Sequence, residues 1–336
     1  MNNHKKILHF ITSINRGGAE LQMLNLVCND KKNKHIIISL INSNELLNKL
    51  QLSKVDVFSL NLNKNIINKF FFLFKLTNLI IKIKPNKIYC WMYHSCLISI
   101  LIKLIFYKKI YWLIRHGSPF RPYVSFRNYI TNLLLAFFSN IIPYKIIYCS
   151  DYSISQHQKI GYNRKKSLLI YNGYKKEEFH VDKKKSTDFR KKNLIKDECF
   201  IIGMLARYHS VKNHKMLFES LSILKKKYQN FDFKIILAGR DINNNNKELV
   251  SLLIQSSIFD NSILLDQIDK TKNFYNILDL HVLPSFNESF PNVICESLLC
   301  GVDCIATNVG ASNEILPNKQ WLLEDIDAEI LASKIN

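Results

Sequence analysis

The stretch Leu283-Pro284-Ser285-Phe286-Asn287-Glu288-Ser289-Phe290-Pro291-Asn292-Val293-Ile294-Cys295-Glu296 decides how this chain folds. It begins where the apolar run Leu280 to Leu283 ends, crosses a polar loop, and enters a segment whose buried face is marked by Ile294, Leu298 and Gly301. A second β-rich run, Cys304 to Thr307, follows. Strand, helix and strand in such close succession read as a βαβ unit, with parallel strands covered by helices. Ser289 is placed to cap the helix and Pro291 to sit in its early turn; Glu288 lies in the loop before it and Glu296 about two turns inside.

The same alternation runs outward to both ends. Strands are expected in the second half at Phe200 to Leu205, Phe233 to Ala238 and Ile263 to Leu265. In the first half they are expected at Lys6 to Thr12, His35 to Ile41, Val55 to Leu60, Lys87 to Trp91, Lys109 to Ile114, Tyr144 to Cys149 and Ser167 to Tyr171. The architecture this predicts is α/β, with two Rossmann-like, doubly wound parallel-sheet domains facing each other across a cleft. Asn172-Gly173 and the charged, strand-free Lys175 to Lys192 mark the seam. The domains are therefore residues 1–172 and 199–336, with 173–198 a linker and exposed helix.

Composition agrees. The chain has 336 residues, room for two domains of ~100 to 200 residues each. Its 47% apolar and 22% charged content excludes global disorder and a disulfide scaffold. The net charge of +20 is uneven: residues 1–170 carry 25 basic and 5 acidic side chains, residues 171–336 carry 22 of each. A basic domain beside a neutral one suggests an anionic partner, nucleic acid or a membrane surface. Eight cysteines without a Cys-x-x-Cys pair, and no secretory pattern ahead of them, fit a reduced cytoplasmic setting. The longest apolar stretches, around Cys96 to Tyr107 and Leu133 to Phe138, are interrupted well short of the ~20 residues of a membrane span.

Only nine glycines occur, so their positions are informative. Gly17 and Gly18 join the first strand to a helix, where a backbone without side chains can approach a phosphate or sugar; a tight turn with no ligand is the plainer alternative. Neither Gly-x-Gly-x-x-Gly nor a Gly-Lys-Ser/Thr phosphate loop is present. The helix start after Ser289 and Phe290 offers amide donors to a diphosphate, Glu288 can accept from sugar hydroxyls, and Glu296 can hold two vicinal ribose hydroxyls. The alternative is a pair of solvated acids. Arg207, just past a strand, and Lys212, five residues on, are placed to converge on the diphosphate, where charge grows as a glycosidic bond breaks.

Glu288-x7-Glu296 with Phe290-Pro291-Asn292, Cys300-Gly301, Ala306-Thr307, Val309-Gly310 and Glu314-Ile315 resembles family 4 of the retaining GT-B glycosyltransferases. The Gly-Gly-Ala-Glu turn at 17–20, Trp91-Met92-Tyr93-His94, Ile114-Arg115-His116, Gln158-x-Ile160-Gly161-Tyr162 and Tyr171-Asn172-Gly173 resemble its O-antigen and capsule branch. The resemblance implies a nucleotide-diphosphate-sugar donor on the second domain, an acceptor on the first, transfer with retention of anomeric configuration, and no metal. It gives Glu288 the donor sugar, Glu296 the ribose, Arg207 and Lys212 the diphosphate, and Gly17 or Gly18 the donor from across the cleft. His116 would sit near the reacting sugar, as a hydrogen-bonding partner or a neutral base; His94 and Arg115 are acceptor-side candidates, and for either histidine a purely structural role is the alternative. Asp325-Ile326-Asp327, the one Asp-x-Asp, reads as a helix start.

Three departures stand out, the first being the low glycine content throughout. Tyr174-Lys175 follows Asn172-Gly173 where the family shows an aliphatic residue and then Asp, and the chain stops at Asn336 after one terminal helix where relatives continue. The acceptor expected is a lipid-linked saccharide at the inner face of the cytoplasmic membrane, with Lys64 to Lys84 and its Phe70, Phe71, Phe72 and Phe74 as an interfacial segment or else a core helix. Two other classes compete: a nucleotide-sugar epimerase of the same architecture, and a nucleic-acid-binding protein using the basic half, which lacks any helix-turn-helix, zinc or RNP signature.

Overall fold

A computed structural model describes residues 5–336 apart from 16, 43–44, 63–65, 176 and 229, and the backbone alone of 66–70. The chain divides into two units, Met1–Gly173 and Tyr174–Asn336.

The first unit is a seven-stranded sheet of β1 (Lys6–Ile11), β2 (Lys34–Ser39), β3 (Asp56–Ser59), β4 (Lys87–Trp91), β5 (Lys109–Ile114), β6 (Lys145–Tyr148) and β7 (Ser167–Leu169). Their order is β3-β2-β1-β4-β5-β6-β7, parallel at every pairing. Its helices are α1 (Gly18–Asn29), α2 (Leu47–Leu52), α3 (Ile66–Ile83), α4 (Met92–Ile105), α5 (Phe126–Phe138) and α6 (Asp151–Lys159). Right-handed crossovers send helices to opposite faces according to the direction in which the next strand is added. So α1 and α2 pack on Ile11, Ile37 and Trp91, while α3, α4 and α5 pack on Leu8, Phe10 and Ile38. Covering on both faces explains why β1 and β2 are buried at every position after the first. The order reverses between β1 and β4, which makes that pair the switch point of the sheet. In α3, Leu76 and Ile80 are buried and Phe71 and Phe74 exposed, so it is a core helix with a partly apolar outer face. Lys64 and the side chain of Phe70 lie outside the described residues.

The second unit is a six-stranded parallel sheet of β8 (Phe200–Leu205), β9 (Phe233–Ala238), β10 (Ser262–Leu264), β11 (Leu280–Leu283), β12 (Asp303–Thr307) and β13 (Leu322–Leu323), ordered β10-β9-β8-β11-β12-β13. It carries α7 (Lys183–Lys192), α8 (His214–Lys227), α9 (Lys247–Gln255), α10 (Thr271–Tyr275), α11 (Asn292–Leu299), α12 (Ser312–Ile315) and α13 (Ala328–Ile335). Its switch point lies between β8 and β11.

The segment read from the sequence as a linker packs within this unit. Phe179, Phe189 and Ile195 join its core. Arg190 of α7 is buried, donating from Nη1 to the Cys199 carbonyl at 2.7 Å and from Nη2 to Asp279 Oδ2 at 2.7 Å. The two-residue β13 is too short to leave a pattern in the sequence. Asp327 caps α13, accepting from the amides of Glu329 and Ile330, as the Asp-x-Asp reading expected.

Candidate functional site

Parallel strands share a carboxyl edge, and the loops leaving β8 and β11 diverge there because β9 and β12 lie on opposite sides. Lys212 comes from the first loop and Glu288 from the second, and the Lys212 ammonium meets Glu288 Oε1 at 2.5 Å. The same oxygen accepts the Ser285 hydroxyl at 2.8 Å. Ser285 is itself fixed, its carbonyl accepting the Thr307 hydroxyl at 2.6 Å. The Phe286 amide donates to the Val211 carbonyl at 2.8 Å, tying the loops together by backbone. Asn213, left-handed at φ 54°, turns the chain from Lys212 into α8 and caps that helix.

Arg207 is exposed one residue beyond Ala206. Its charge and that of Lys212 both reach His209, whose imidazole is held below its ordinary range by burial first and then by these cations. Arg207 and Lys212 each lie within electrostatic reach of His209. Gly239 shows why the loop approaches so closely: at φ 141°, a β-carbon there would lie 2.1 Å from the Ala206 carbonyl oxygen.

Beyond Glu288, the chain runs through Ser289 and Phe290 to α11. Gly310, at φ 61°, sits against this segment: a β-carbon would lie 2.5 Å from the Glu288 carbonyl oxygen, and the Ala311 amide donates to the Ser289 carbonyl at 3.0 Å. The helix begins at Asn292 with Pro291 at the cap position, so Ser289 is not its cap. With proline at the boundary the extended loop runs two residues further than a serine cap at 289 would allow, and this leaves Glu296 about one turn inside rather than two. Glu296 Oε2 accepts the Tyr275 hydroxyl at 3.0 Å. Tyr275 is fully buried, and burial followed by the Glu296 charge raises its phenol well above the ordinary range, so it stays a donor. Its ring stands edge-on to His281 at 5.5 Å. That imidazole, pushed down to about 3 by burial, is neutral, accepts the Leu205 amide at Nε2 and faces Cys304 Sγ from Nδ1 at 3.2 Å. Tyr174, the departure at the seam, donates its hydroxyl to Asn292 Oδ1 at 2.5 Å.

In the first unit Gly17 caps α1 and Gly18 is its first residue. The Glu20 carboxylate folds back over Gly17: a β-carbon there would lie 2.4 Å from Glu20 Oε2. Burial raises the Glu20 carboxyl above its usual range. The β4–α4 turn passes through Met92 at φ 68°, a conformation a non-glycine residue adopts only where the surroundings impose it.

Tyr93 is thereby buried with its ring parallel to His116 at 3.9 Å. The Tyr93 hydroxyl donates to His157 Nε2 at 2.8 Å, since His157 Nδ1 is committed to the Ser153 carbonyl at 2.7 Å. His116 is pushed down to about 3 by burial, with His157 and His94 adding repulsion, and its Nδ1 is buried with no partner in the chain. His94, exposed on α4, is held low by burial and then Arg127. Arg115 donates from Nη1 to Asn172 Oδ1 at 3.2 Å, stacks over Trp91 at 5.6 Å, and keeps a buried, unpartnered Nε.

The structure thus joins Lys212 with Glu288 in the second unit; in the first, His94 reaches His116 only through its charge. Tyr275 and His157 escaped the sequence reading, and Ser285, Thr307 and Tyr93, though inside the quoted stretches, were given no role, because their contacts carry no spacing signal. Among the described residues, no group of three or more His, Cys, Asp or Glu is placed to hold a metal ion.

Two parallel-sheet α/β units, of seven and six strands, match the fold of solved GT-B glycosyltransferases. Residues 185–336, within the second unit, match the model of the glycosyl transferases group 1. The chain is 22% identical over 320 residues to the capsular polysaccharide biosynthesis glycosyltransferase CapH of Staphylococcus aureus, covering 92% of this chain and 83% of that one. It is 26% identical over 144 residues to the O-antigen biosynthesis glycosyltransferase WclY of Escherichia coli, 43% of this chain and 38% of that one. Anabaena HepE, solved in complex with UDP and glucose, superposes with a TM-score of 0.85 at 19% identity, covering 99% of this chain and 89% of that one.

Proposed function

We propose that the protein transfers a sugar from a nucleoside-diphosphate sugar to a lipid-linked saccharide, with retention of configuration, in building a capsular or O-antigen polysaccharide. The observation that carries this reading is the Lys212–Glu288–Ser285 cluster at the second unit's switch point, one loop away from the amides that open α11. In the donor complex Lys212 and Arg207 neutralise the diphosphate, whose charge grows as the glycosidic bond breaks. Glu288, released from Lys212, accepts sugar hydroxyls, and Glu296, held by Tyr275, accepts the ribose hydroxyls. Two fixed cations take the place of a divalent ion in this scheme. HepE, with UDP-glucose bound in its solved complex, and the capsular and O-antigen biosynthesis roles of the relatives support the donor class and the pathway.

The acceptor reading rests on the first unit. No Asp or Glu occurs from residue 57 to 150. The outer face of α5 presents Phe126, Ile130, Leu133, Leu134 and Phe137 to solvent, next to Leu104 and Ile105 of α4. An apolar face on a carboxylate-free, lysine-rich layer suits an anionic lipid surface on the cytoplasmic side. No described helix is long and apolar enough to cross a membrane.

A panel of nucleotide sugars scored by thermal protection tests the donor. One uridine or guanosine diphosphate sugar should stabilise the protein by ~2.7 kcal/mol at a hundred times its dissociation constant, indifferent to chelator and abolished by Glu296→Ala. Protection by none of them removes the reading. Conversion of the donor to an epimer with no acceptor present would establish the epimerase instead.

A further inference from the structure

A row of polar side chains crosses the first sheet beneath its switch point, on the face covered by α1 and α2. The Trp91 indole lies 3.1 Å from His9 Nδ1. His9 Nε2 lies 2.8 Å from His35 Nδ1. His35 Nε2 faces Asp30 Oδ2 at 3.1 Å. These come from four successive places: the end of β4, the middle of β1, the start of β2, and the residue capping α1. Both histidines are buried, and the apolar cover over them comes from Met23, Leu24, Val27 and Leu50.

The ends of the row dictate its polarity. An indole nitrogen can only donate and a carboxylate can only accept. His9 Nδ1 must therefore be a bare acceptor, His9 Nε2 carries hydrogen and donates to His35 Nδ1, and His35 Nε2 carries hydrogen toward Asp30. The first two links are each filled once, with both imidazoles neutral, and His35 Nε2 stands 3.1 Å from Asp30 Oδ2 as a close polar pair without hydrogen-bond alignment. Asp30 is anchored in turn by the Lys32 amide at 2.9 Å and the Asn33 side chain at 2.7 Å. The other ionisable neighbours are Tyr89, edge-on to His9 at 5.5 Å, and Tyr111 against Tyr89. An extra proton on either histidine forces two donors to face each other, and an unpaired buried donor costs ~1 to 3 kcal/mol. Burial holds His9 down at about 3, in keeping with this.

Trp91 is where the row meets function, because the Arg115 guanidinium stacks on its ring while Asn172 holds Nη1. We infer that Asp30, His35 and His9 are positioning residues that lock the Trp91 indole and, through it, set the Arg115 guanidinium, whose buried Nε–H remains available to the phosphate group of a lipid-linked acceptor. This rests on the acceptor reading above. A surface acid and two strand histidines, none touching ligand, then govern how well the first unit receives an anion.

The full chain, labelled with nitrogen-15 at its indoles, gives one resonance each for Trp91, Trp112 and Trp321, with Trp91 assigned by Trp91→Phe. Geranyl diphosphate serves as a soluble probe of the acceptor. Asp30→Ala and His35→Phe should shift the Trp91 resonance, speed its exchange with water, and weaken geranyl diphosphate ~5- to 10-fold, short of the ~100-fold loss expected for Arg115→Ala from a charge-assisted contact. His9→Gln, which can keep an acceptor toward Trp91, should restore most of the binding that His9→Phe loses. If a His9 variant fails to fold, Asp30→Ala at the exposed end decides alone. A Trp91 resonance unmoved by Asp30→Ala, or one that moves while binding stays within twofold of wild type, overturns the inference. Should wild type not bind the probe at all, the acceptor reading falls, and the lock stands or falls on whether Asp30→Ala shifts the Trp91 resonance and, in uniformly nitrogen-15-labelled protein, the Arg115 Nε–H resonance.

Discussion

Lys212 and Glu288 neutralise each other while largely shielded, their side chains 23% and 12% exposed. Glu288→Gln keeps shape and removes the charge; donor consumption should fall ~100-fold, as for other contacts made in the transition state. An initial-rate assay checks this, and a loss under threefold would mean that Glu288 only neutralises Lys212. In stability the two substitutions are coupled: Lys212→Met with Glu288→Gln should cost less than the sum of the singles, because each single leaves a lone charge behind and the double leaves none. His116→Phe preserves the stack on Tyr93 and deletes the unpartnered nitrogen. Transfer should drop ~100-fold with the unfolding midpoint unchanged, whereas a structural histidine would show the reverse. The Glu-x7-Glu spacing and the following proline were legible in the sequence because both positions lie in one segment. The Ser285 contact to Glu288 was not, since a serine three residues ahead of an acid has no distinctive pattern until the loop is bent.

Elements carry their own tests. Gly310 lets the loop after β12 lie against the Glu288–Ser289 backbone, and Gly310→Ala should destabilise the chain by about 2 to 4 kcal/mol, through a contact with backbone that cannot yield and a left-handed φ. Urea unfolding measures it; a cost under 1 kcal/mol would mean that the loop can retreat. In α7, Arg190 serves two partners on different segments with a planar fork. Arg190→Lys should therefore recover little of the ~3 kcal/mol or more lost in Arg190→Ala, because an ammonium cannot span both. Sequence charge made α7 look like solvent-facing linker: six of its ten residues are Lys or Arg, and only Phe189 betrays a buried face. Apart from the two-residue β13, the strands were legible because each is built on an apolar run. Their neighbours were not, and with them the row from Trp91 to Asp30: His9 and His35 appear in sequence as single interruptions of apolar runs, 26 residues apart. Only the order β2-β1-β4 makes them adjacent to each other and to Trp91.

Over the whole molecule, buried neutral histidines set the acid limit. His9, His157, His214 and His281 are almost wholly inaccessible, and burial pushes them down to about 3 or 4. Each binds its proton readily when unfolded and reluctantly when folded, so its contribution is complete above the unfolded value of about 6.5 and is lost as pH falls from there toward the folded value. Each removes ~1.4 kcal/mol per pH unit in that window, against a total stability of ~5 to 15 kcal/mol for a typical domain. The urea midpoint should be level above pH 7 and collapse between pH 6 and 5; a midpoint level down to pH 5 would show that these rings protonate without unfolding.

The bond from the Tyr174 hydroxyl to Asn292 gives the seam a mechanical character. Tyr174 is the first residue of the second unit and Asn292 the first of α11. Tension applied to the chain at Gly173 is therefore borne by the opening turn of that helix as well as by the strand it leads to. Under a stretching load, as in single-molecule pulling from the two termini, this tether is a rupture point, and its failure would loosen the helix entrance before either sheet unravels.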